Sequence, residues 1–222
     1  MEKRIKSFVI RQRITKAQTR ALSTLSGQYV VSLLQLTKLD ELYKNKNPLV
    51  IEIGFGMGDA TWAIAQSNPS INYLAVEVHT AGIGALLLQI EKYELSNIKI
   101  INADAVDILQ KLNALKTPNK IAAFHIFCPD PWPKKRHHKR RLLQKEFILQ
   151  LVTHLKSGGY IHITTDYADY KDFIASSINQ ADLEYQIQHN QPYNNRPTTK
   201  FENRAKVKSE NNGDIWDIVI FA

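Results

Sequence analysis

One cysteine, Cys128, in a chain of 222 residues excludes an intramolecular disulfide and fits a reducing cytosol. No apolar run approaches the ~20 residues that span a bilayer. Met1-Glu2-Lys3-Arg4-Ile5-Lys6 leads into no long apolar stretch, so neither a membrane span nor a secretory signal is expected. A Gly-Lys-Ser/Thr sequence is missing, which argues against a P-loop nucleotide enzyme. Internal repeats and low-complexity tracts are missing too. What is left is the composition of a soluble, cytoplasmic globular protein, 44% hydrophobic and 23% charged, long enough for one ordinary domain.

Acidic residues are outnumbered, and their shortage is local. The formal net charge is +8; residues 1–20 carry seven Lys or Arg against Glu2, and residues 134–141 carry six with no acid. The rest of the chain is mildly acidic. Two basic patches on such a body point to a polyanion-binding surface. The first 20 residues also share the Arg-rich, acid-poor composition of a transit peptide. They run without a linker into Ala21-Leu22, however, which favours a basic arm over 1–25, flexible in the free chain, followed by one folded domain over 26–222.

Short apolar runs alternate with helical patterns through that body. Strands are expected at 48–53, 72–78, 97–102, 121–127 and 160–165, with further candidates at 185–188 and 215–221. Helices are expected at 59–66, 81–93, 106–115, 142–155 and 169–179, with Gly158-Gly159 ending the fourth. Strand and helix in alternation, with apolar strands, predict a doubly wound Rossmann-like α/β fold: a mostly parallel sheet of about seven strands covered on both faces. Ligands of such sheets bind at the carboxyl ends of the strands, where strand order reverses.

The residues at those ends carry the chemistry. Glu52-Ile-Gly54-Phe-Gly56-Met-Gly58 follows the first of these strands, and glycines there let backbone approach a ligand. Its spacing is Gly-x-Gly-x-Gly rather than the Gly-x-Gly-x-x-Gly of dinucleotide folds. Glu77 ends the next strand, where an acid can accept both hydroxyls of a ribose. Asp104, in Asn102-Ala103-Asp104, ends the third, where an acid can take an exocyclic adenine amine. Three acids in register match an adenosyl ligand lacking phosphates, since Glu52 would repel a pyrophosphate and attract the ammonium and sulfonium of S-adenosylmethionine. A lone acid at a strand end is otherwise an N-cap for the next helix.

The fourth strand leads into Cys128-Pro-Asp130-Pro-Trp132-Pro-Lys134 and then Lys135-Arg136-His137-His138-Lys139-Arg140-Arg141. Pro129, Pro131 and Pro133 fix φ and remove donors, so this loop joins neither sheet nor helix and holds Asp130 stiffly. Trp132 has two readings, stacking on a base or packing. His137 and His138 are potential metal ligands, but no Cys or acid completes a site at suitable spacing, so no metal is expected.

These residues resemble the bacterial single-chain tRNA (guanine-N7)-methyltransferases over nearly the whole chain. Ile5-Lys-Ser-Phe-Val resembles the family's basic arm, Glu52 to Gly58 its cofactor loop, Val76-Glu-Val-His79 its second-strand end, and Pro129 to Arg141 its most specific signature. Thr165-Asp166 and Arg196-Pro-Thr-Thr-Lys-Phe-Glu202 match its substrate-side motifs. The resemblance implies methyl transfer from S-adenosylmethionine to N7 of the variable-loop guanine at position 46 of tRNA, by a monomer or weak homodimer. It implies cofactor contacts at Glu52, Gly54, Gly56, Gly58, Glu77, Asn102, Ala103, Asp104 and Asp130, with Asp130 also the active-site acid. Lys134, Asp166, Thr199, Lys200, Phe201 and Glu202 would contact the guanine region, and Arg136, His137, His138, Lys139, Arg140 and Arg141 would bind RNA backbone. The chain departs from the family at Cys128, where members carry a large apolar residue, at Ala205, a usual Gly, and over 209–213.

Guanine N7 has a lone pair and no proton, so attack on the methyl group needs no general base; Asp130 is expected to orient the base through its N1 or N2 edge. Two other readings fit less: a methyltransferase of an exocyclic amine, whose Asn/Asp-Pro-Pro-aromatic order is missing because Trp132 follows Pro131, and an RNA-binding module that has lost catalysis although all the cofactor acids are kept.

Overall fold

Leu49, Val50 and Ile51 are apolar at successive positions and Ile53 follows Glu52, in a run too short for a helix and flanked by Pro48 and Gly54. Such a segment is stable only where both faces of a sheet are covered. In the computed structural model, which describes residues 5–9, 13–114, 120–197 and 213–221, it is the strand β2 (Leu49–Ile53) at the middle of an eight-stranded sheet. The other strands are β1 (Val30–Val31), β3 (Asn72–Glu77), β4 (Ile98–Asn102), β5 (Ile121–Phe127), β6 (Leu155–Thr165), β7 (Tyr185–His189) and β8 (Trp216–Phe221). Their spatial order is β1-β4-β3-β2-β5-β6-β8-β7. β8 pairs antiparallel with both β6 and β7, and the remaining pairings are parallel.

Helices α1 (Lys16–Tyr29), α2 (Asp59–Ser67) and α3 (Thr80–Tyr93) cover one face. Their core joins Ala21, Ala65, Leu86 and Ile90 to Val50, Tyr73 and Ile98 of the sheet. Helices α4 (Ala105–Ala114), α5 (Lys145–His154) and α6 (Ala168–Gln180) cover the other, where Ile108, Ile148 and Ile174 meet Ile51, Leu74 and Phe124. Neighbouring residues of one strand thus serve different cores, which is why the strands read as continuous apolar runs.

Strand order reverses beside β2: the chain goes from β2 outward through β3 and β4, then returns to pair β5 on the other side of β2. The glycine loop after β2 and the proline loop after β5 therefore leave adjacent strands at the same edge. This places the binding crevice of a doubly wound sheet between them.

Three elements differ from expectation. The helix predicted over 142–155 is α5, Lys145–His154, because Leu143 is instead drawn fully into the core, where its N–H donates to the Tyr170 hydroxyl at 3.3 Å. Gly158 does not end that helix but sits at φ +71° inside β6. The short β1 adds an eighth strand, too brief for a period to show. α1 runs through residue 25 and begins with a capping box, Thr15 Oγ1 accepting from Gln18 N and Gln18 Oε1 from Thr15 N. It crosses α3 so closely that a Cβ on Gly84 would lie 2.8 Å from Gln18 Cβ. No helix among the described residues is long and apolar enough to cross a membrane.

Candidate active site

The glycine loop is held from behind by an acid. Glu77, 5% exposed at the end of β3, accepts hydrogen bonds from Gly56 N (2.8 Å), Val78 N (2.7 Å) and His79 N (3.0 Å). One carboxylate thus fixes both the loop after β2 and the approach to α3. Gly54, Gly56 and Gly58 all have left-handed φ, of +74°, +59° and +79°. The approach is tight as well: a Cβ on Gly82 would lie 2.0 Å from the Gly56 carbonyl oxygen. Because the Gly56 amide is already given to Glu77, this loop is a poor phosphate cradle, unlike the loops whose amides face a pyrophosphate.

Asp104 is 8% exposed and accepts from Val106 N at 3.1 Å, so it caps α4 as well as ending β4. Asn102 donates from Nδ2 to the Glu77 carbonyl at 2.8 Å, tying the β3 and β4 ends together. Between these groups lies a cavity of about 250 Å³ whose lining includes Gly54, Gly56, Glu77, Ala103, Asp104 and Asp130. Six residues chosen from the sequence thus meet at one cavity. The lining leaves out Glu52, Gly58 and Asn102, which stand behind or beside it.

Glu52 lies at 2% exposure beside the Thr61 hydroxyl, and its Oε2 has no well-formed hydrogen bond. Burial pushes its carboxyl up to about 7, the Thr61 hydroxyl opposes this, and the charge of Glu77 adds to it. The folded state therefore keeps a proton that the unfolded state releases at lower pH. Stability from this group is fully present below the ordinary carboxylate value and is lost as pH rises to about 7, a change of about 3 kcal/mol. Glu52→Gln is expected to remove that part of the pH dependence, so that urea midpoints at pH 5 and pH 8 move closer together; an unchanged difference between them would refute the assignment.

The proline loop is anchored at three points. Cys128, at φ +46°, donates its N–H to the Thr164 carbonyl (3.0 Å) and hydroxyl (3.1 Å) on β6. Trp132, at φ +47°, donates Nε1–H to the Ser7 carbonyl at 2.9 Å. Arg141 donates from Nε to the Pro131 carbonyl at 2.9 Å. The loop presents Asp130 as an exposed carboxylate. Asp130 borders both the inner cavity and an adjoining outer one of about 460 Å³, whose walls include Val9, Arg13, Met57 and Trp132.

The basic run that follows is a short 3₁₀ helix, Lys135–Arg140, with Lys134 as its N-cap. Lys134, Lys135, Arg136 and Lys139 are exposed, while Arg140 places its guanidinium 4.8 Å from the Trp132 ring centroid and His137 meets the same ring edge-on at 5.6 Å. Trp132 therefore packs between the basic helix and the N-terminal segment. Arg141 is placed differently from the others. It is 3% exposed, pairs with Asp169, and lies about 5 Å from the Tyr170 and Phe173 rings, at 5.1 and 5.0 Å. Its guanidinium holds the Asp169 carboxyl below the usual carboxylate range.

Asp166, just past β6, is half-buried and its carboxyl is raised by that burial. It lines neither cavity, nor does Lys134. Thr199, Lys200, Phe201 and Glu202 lie outside the described residues, as do Ala205 and most of the 209–213 stretch. Residues not singled out as site residues from the sequence also line the inner cavity: Ser7, Phe8, His79 and Cys128. Phe8 meets His79 edge-on at 6.5 Å with Lys6 5.2 Å from its ring. An aromatic residue inside a basic arm was the signal available for it. No cluster of three metal-ligating side chains occurs among the described residues.

Comparison with known proteins gives this geometry a family. Residues 46–217 match the family model described as "Putative methyltransferase". A tRNA (guanine-N(7)-)-methyltransferase of Nitrosospira multiformis is 45% identical over 219 residues, covering 97% of this chain and 93% of the relative. The enzyme of that name from Legionella pneumophila (strain Philadelphia 1) is 37% identical, covering 99% of this chain and 98% of the relative. Among solved structures, the 16S rRNA methyltransferase KamB (TM-score 0.57, 12% identity, 95% of each chain) and an antibiotic-related methyltransferase (0.56, 13%, 86% of this chain and 94% of that one) share the fold. With its glycine loop, strand-end acids and proline loop gathered at the reversal of strand order, this chain belongs to the tRNA (guanine-N(7)-)-methyltransferase family.

Proposed function

We infer that the chain transfers the methyl group of S-adenosylmethionine to N7 of a guanine in tRNA, the variable-loop guanine at position 46. The observation that carries this reading is 45% identity, over nearly the whole chain, to a relative named for that reaction. The inner cavity supports the cofactor. The open side of Gly54 and Gly56, where a Cβ would meet nothing within 4 Å, leaves backbone-lined space, and buried Glu52 stands behind it with an oxygen lacking a hydrogen-bond partner. Such a site suits a cation without phosphates.

Gly54, Gly56, Glu77, Asn102, Ala103 and Asp104 would hold the adenosyl part, with Glu77 set for the ribose hydroxyls and Asp104 for the adenine amine. S-adenosylmethionine supplies a methyl group on cationic sulfur, open to in-line displacement. Catalysis by this chain is then chiefly alignment, which can supply roughly 7–11 kcal/mol. Asp130 accepts hydrogen bonds from the N1 or N2 edge of the guanine and favours the cationic ring that forms; since N7 carries no proton, nothing need be abstracted. N7 lies on an edge that A-form helices bury, so the cations of Lys134–Arg140 grip backbone around an unstacked base without reading sequence. The protein works as a cytoplasmic monomer or weak homodimer.

Incubation with labelled S-adenosylmethionine and unmodified tRNA, followed by aniline scission, is expected to give label and cleavage at the variable-loop guanine. Label without scission would mean another target atom. A second expectation concerns the arm. Trp132→Phe keeps an aromatic side chain, though a smaller one, and removes the N–H that holds Ser7, so cofactor affinity by calorimetry should weaken by roughly 3- to 10-fold, the worth of one hydrogen bond; an unchanged Kd would detach residues 5–9 from cofactor binding.

A further inference from the structure

Asp130 stands in an arch whose two sides are both strained. Cys128, two residues before it, has φ +46°, and Trp132, two residues after it, has φ +47°. Residues with a Cβ disfavour these left-handed values and keep them where the surroundings impose them. Pro129 and Pro131 have no N–H to donate, so the arch is held from its sides. On the entering side the Cys128 N–H goes to Thr164 of β6, to its carbonyl at 3.0 Å and its hydroxyl at 3.1 Å. On the leaving side Trp132 reaches Ser7 through its ring, and the backbone itself is caught by Arg141: the carbonyl of Pro131, in the peptide unit that turns into Trp132, accepts from Nε at 2.9 Å.

Arg141 can hold that carbonyl because it is itself immobilised. Its Nη2 donates to Asp169 Oδ2, its backbone N–H donates to the His138 carbonyl at 2.9 Å, and its guanidinium is enclosed by the rings of Tyr170 and Phe173. Asp169 belongs to the first turn of α6, the helix that follows β6. Both sides of the arch are therefore fastened to one strand-to-helix connection, through Thr164 before it and Asp169 beyond it, with Asp166 between the two. Stability alone does not call for such a buried ion pair, which apolar groups of the same volume commonly replace without loss. What the guanidinium supplies is direction: its donors lie in one rigid plane, and a lysine ammonium has no such plane.

The geometry points to Arg141, seated on Asp169, as a positioning residue for the methyl acceptor: it holds the strained arch that presents Asp130 and touches neither the cofactor nor an RNA phosphate. This rests on the function proposed above. Arg141→Lys keeps the charge and loses the plane. It should lower the single-turnover rate of methyl transfer, with tRNA and S-adenosylmethionine both saturating, by roughly 10- to 100-fold, since a misplacement of about 1 Å costs about 100-fold, while Kd for each stays within about threefold. The rate is taken at a temperature where unfolding curves show the variant fully folded, so a merely structural role would leave it unmoved. A fall of fivefold or more with both Kd values held supports the role; a smaller fall, or a Kd for either partner weakened more than threefold, would overturn it. If Arg141→Lys does not fold, Asp169→Ala decides on the same thresholds, because the Asp169 side chain is 59% exposed and its truncation opens no cavity in the core. Wild-type protein that gives no scission at N7-methylguanine would overturn the proposed function itself and this inference with it.

Discussion

Asp130→Asn is expected to lower kcat/KM for tRNA by about 10²- to 10³-fold, with the S-adenosylmethionine Kd moving less than tenfold. The substitution keeps the volume and one acceptor oxygen and removes the charge. Two charge-assisted hydrogen bonds to the guanine edge are at stake, each worth about 1.5–3 kcal/mol once RNA covers the exposed carboxylate. Attraction for the cationic ring adds to this; at 4 Å it is about 1 kcal/mol in water and about 4 kcal/mol near a protein surface. Because the amide oxygen of Asn still accepts one of these bonds, the expected loss is the other bond and about 1 kcal/mol of the attraction, about 2.5–4 kcal/mol in all, which is roughly 10²- to 10³-fold. The effect on cofactor should be smaller because Asp130 is one of several residues lining the inner cavity, and the glycine loop is fixed by Glu77 without it. Asp130→Glu separates charge from placement: the loop is held by Thr164, Ser7 and Arg141 and cannot retreat to admit a methylene, so the longer acid should still lose roughly tenfold. Asp130→Asn within fivefold of wild type would leave the carboxylate without a role in orienting the base.

What the sequence disclosed of this site was what local patterns carry. β2, β3, β4 and β5 read correctly because each is an apolar run bounded by turn residues. The glycine loop, Glu77, Asp104 and Asp130 followed from their places at the ends of those runs. Features that depend on distant partners were not legible. Arg141 sits in a run of six cations and nothing nearby distinguishes it, yet Asp169 and two rings of α6, some 28 residues away, bury it. The two readings of Trp132 could not be separated because its partner Ser7 lies 125 residues upstream. Apolar Leu142 and Leu143 counted toward a helix, and only the Tyr170 hydroxyl explains why Leu143 is core without being helical. Glu52 is expected at the cofactor from its place at a strand end; that it is buried, with one oxygen left without a hydrogen bond, depends on distant packing and was not legible. Asp104, weighed either as a helix cap or as a ligand acid, caps α4 and also lines the inner cavity.

The distinction between Arg141 and its neighbours leads to the other large effect. Replacing Lys135, Arg136 and Lys139 together by Gln is expected to weaken tRNA binding and to reduce the slope of log Kobs against log salt by about 2–3, at roughly 0.7–0.9 per lost phosphate contact. All three are exposed on the 3₁₀ helix beside the cavities, so each can release a counterion on binding RNA. Their loss should leave cofactor affinity and unfolding midpoint unchanged within error, since exposed charges of this kind contribute little to stability. Arg141→Gln should behave in the opposite way. Its guanidinium is closed off between Asp169 and the rings of Tyr170 and Phe173, and breaking a buried pair costs about 3–5 kcal/mol; because Asp169 is more than half exposed, the lower part of that range applies. The salt slope of whatever protein folds should then stay at the wild-type value. Measured side by side by filter binding across a salt series and by urea unfolding, the triple variant should move only the first and Arg141→Gln only the second. A wild-type slope in the triple variant would take the basic helix out of the RNA interface. A reduced slope in Arg141→Gln would show that the buried strut opens to meet phosphate.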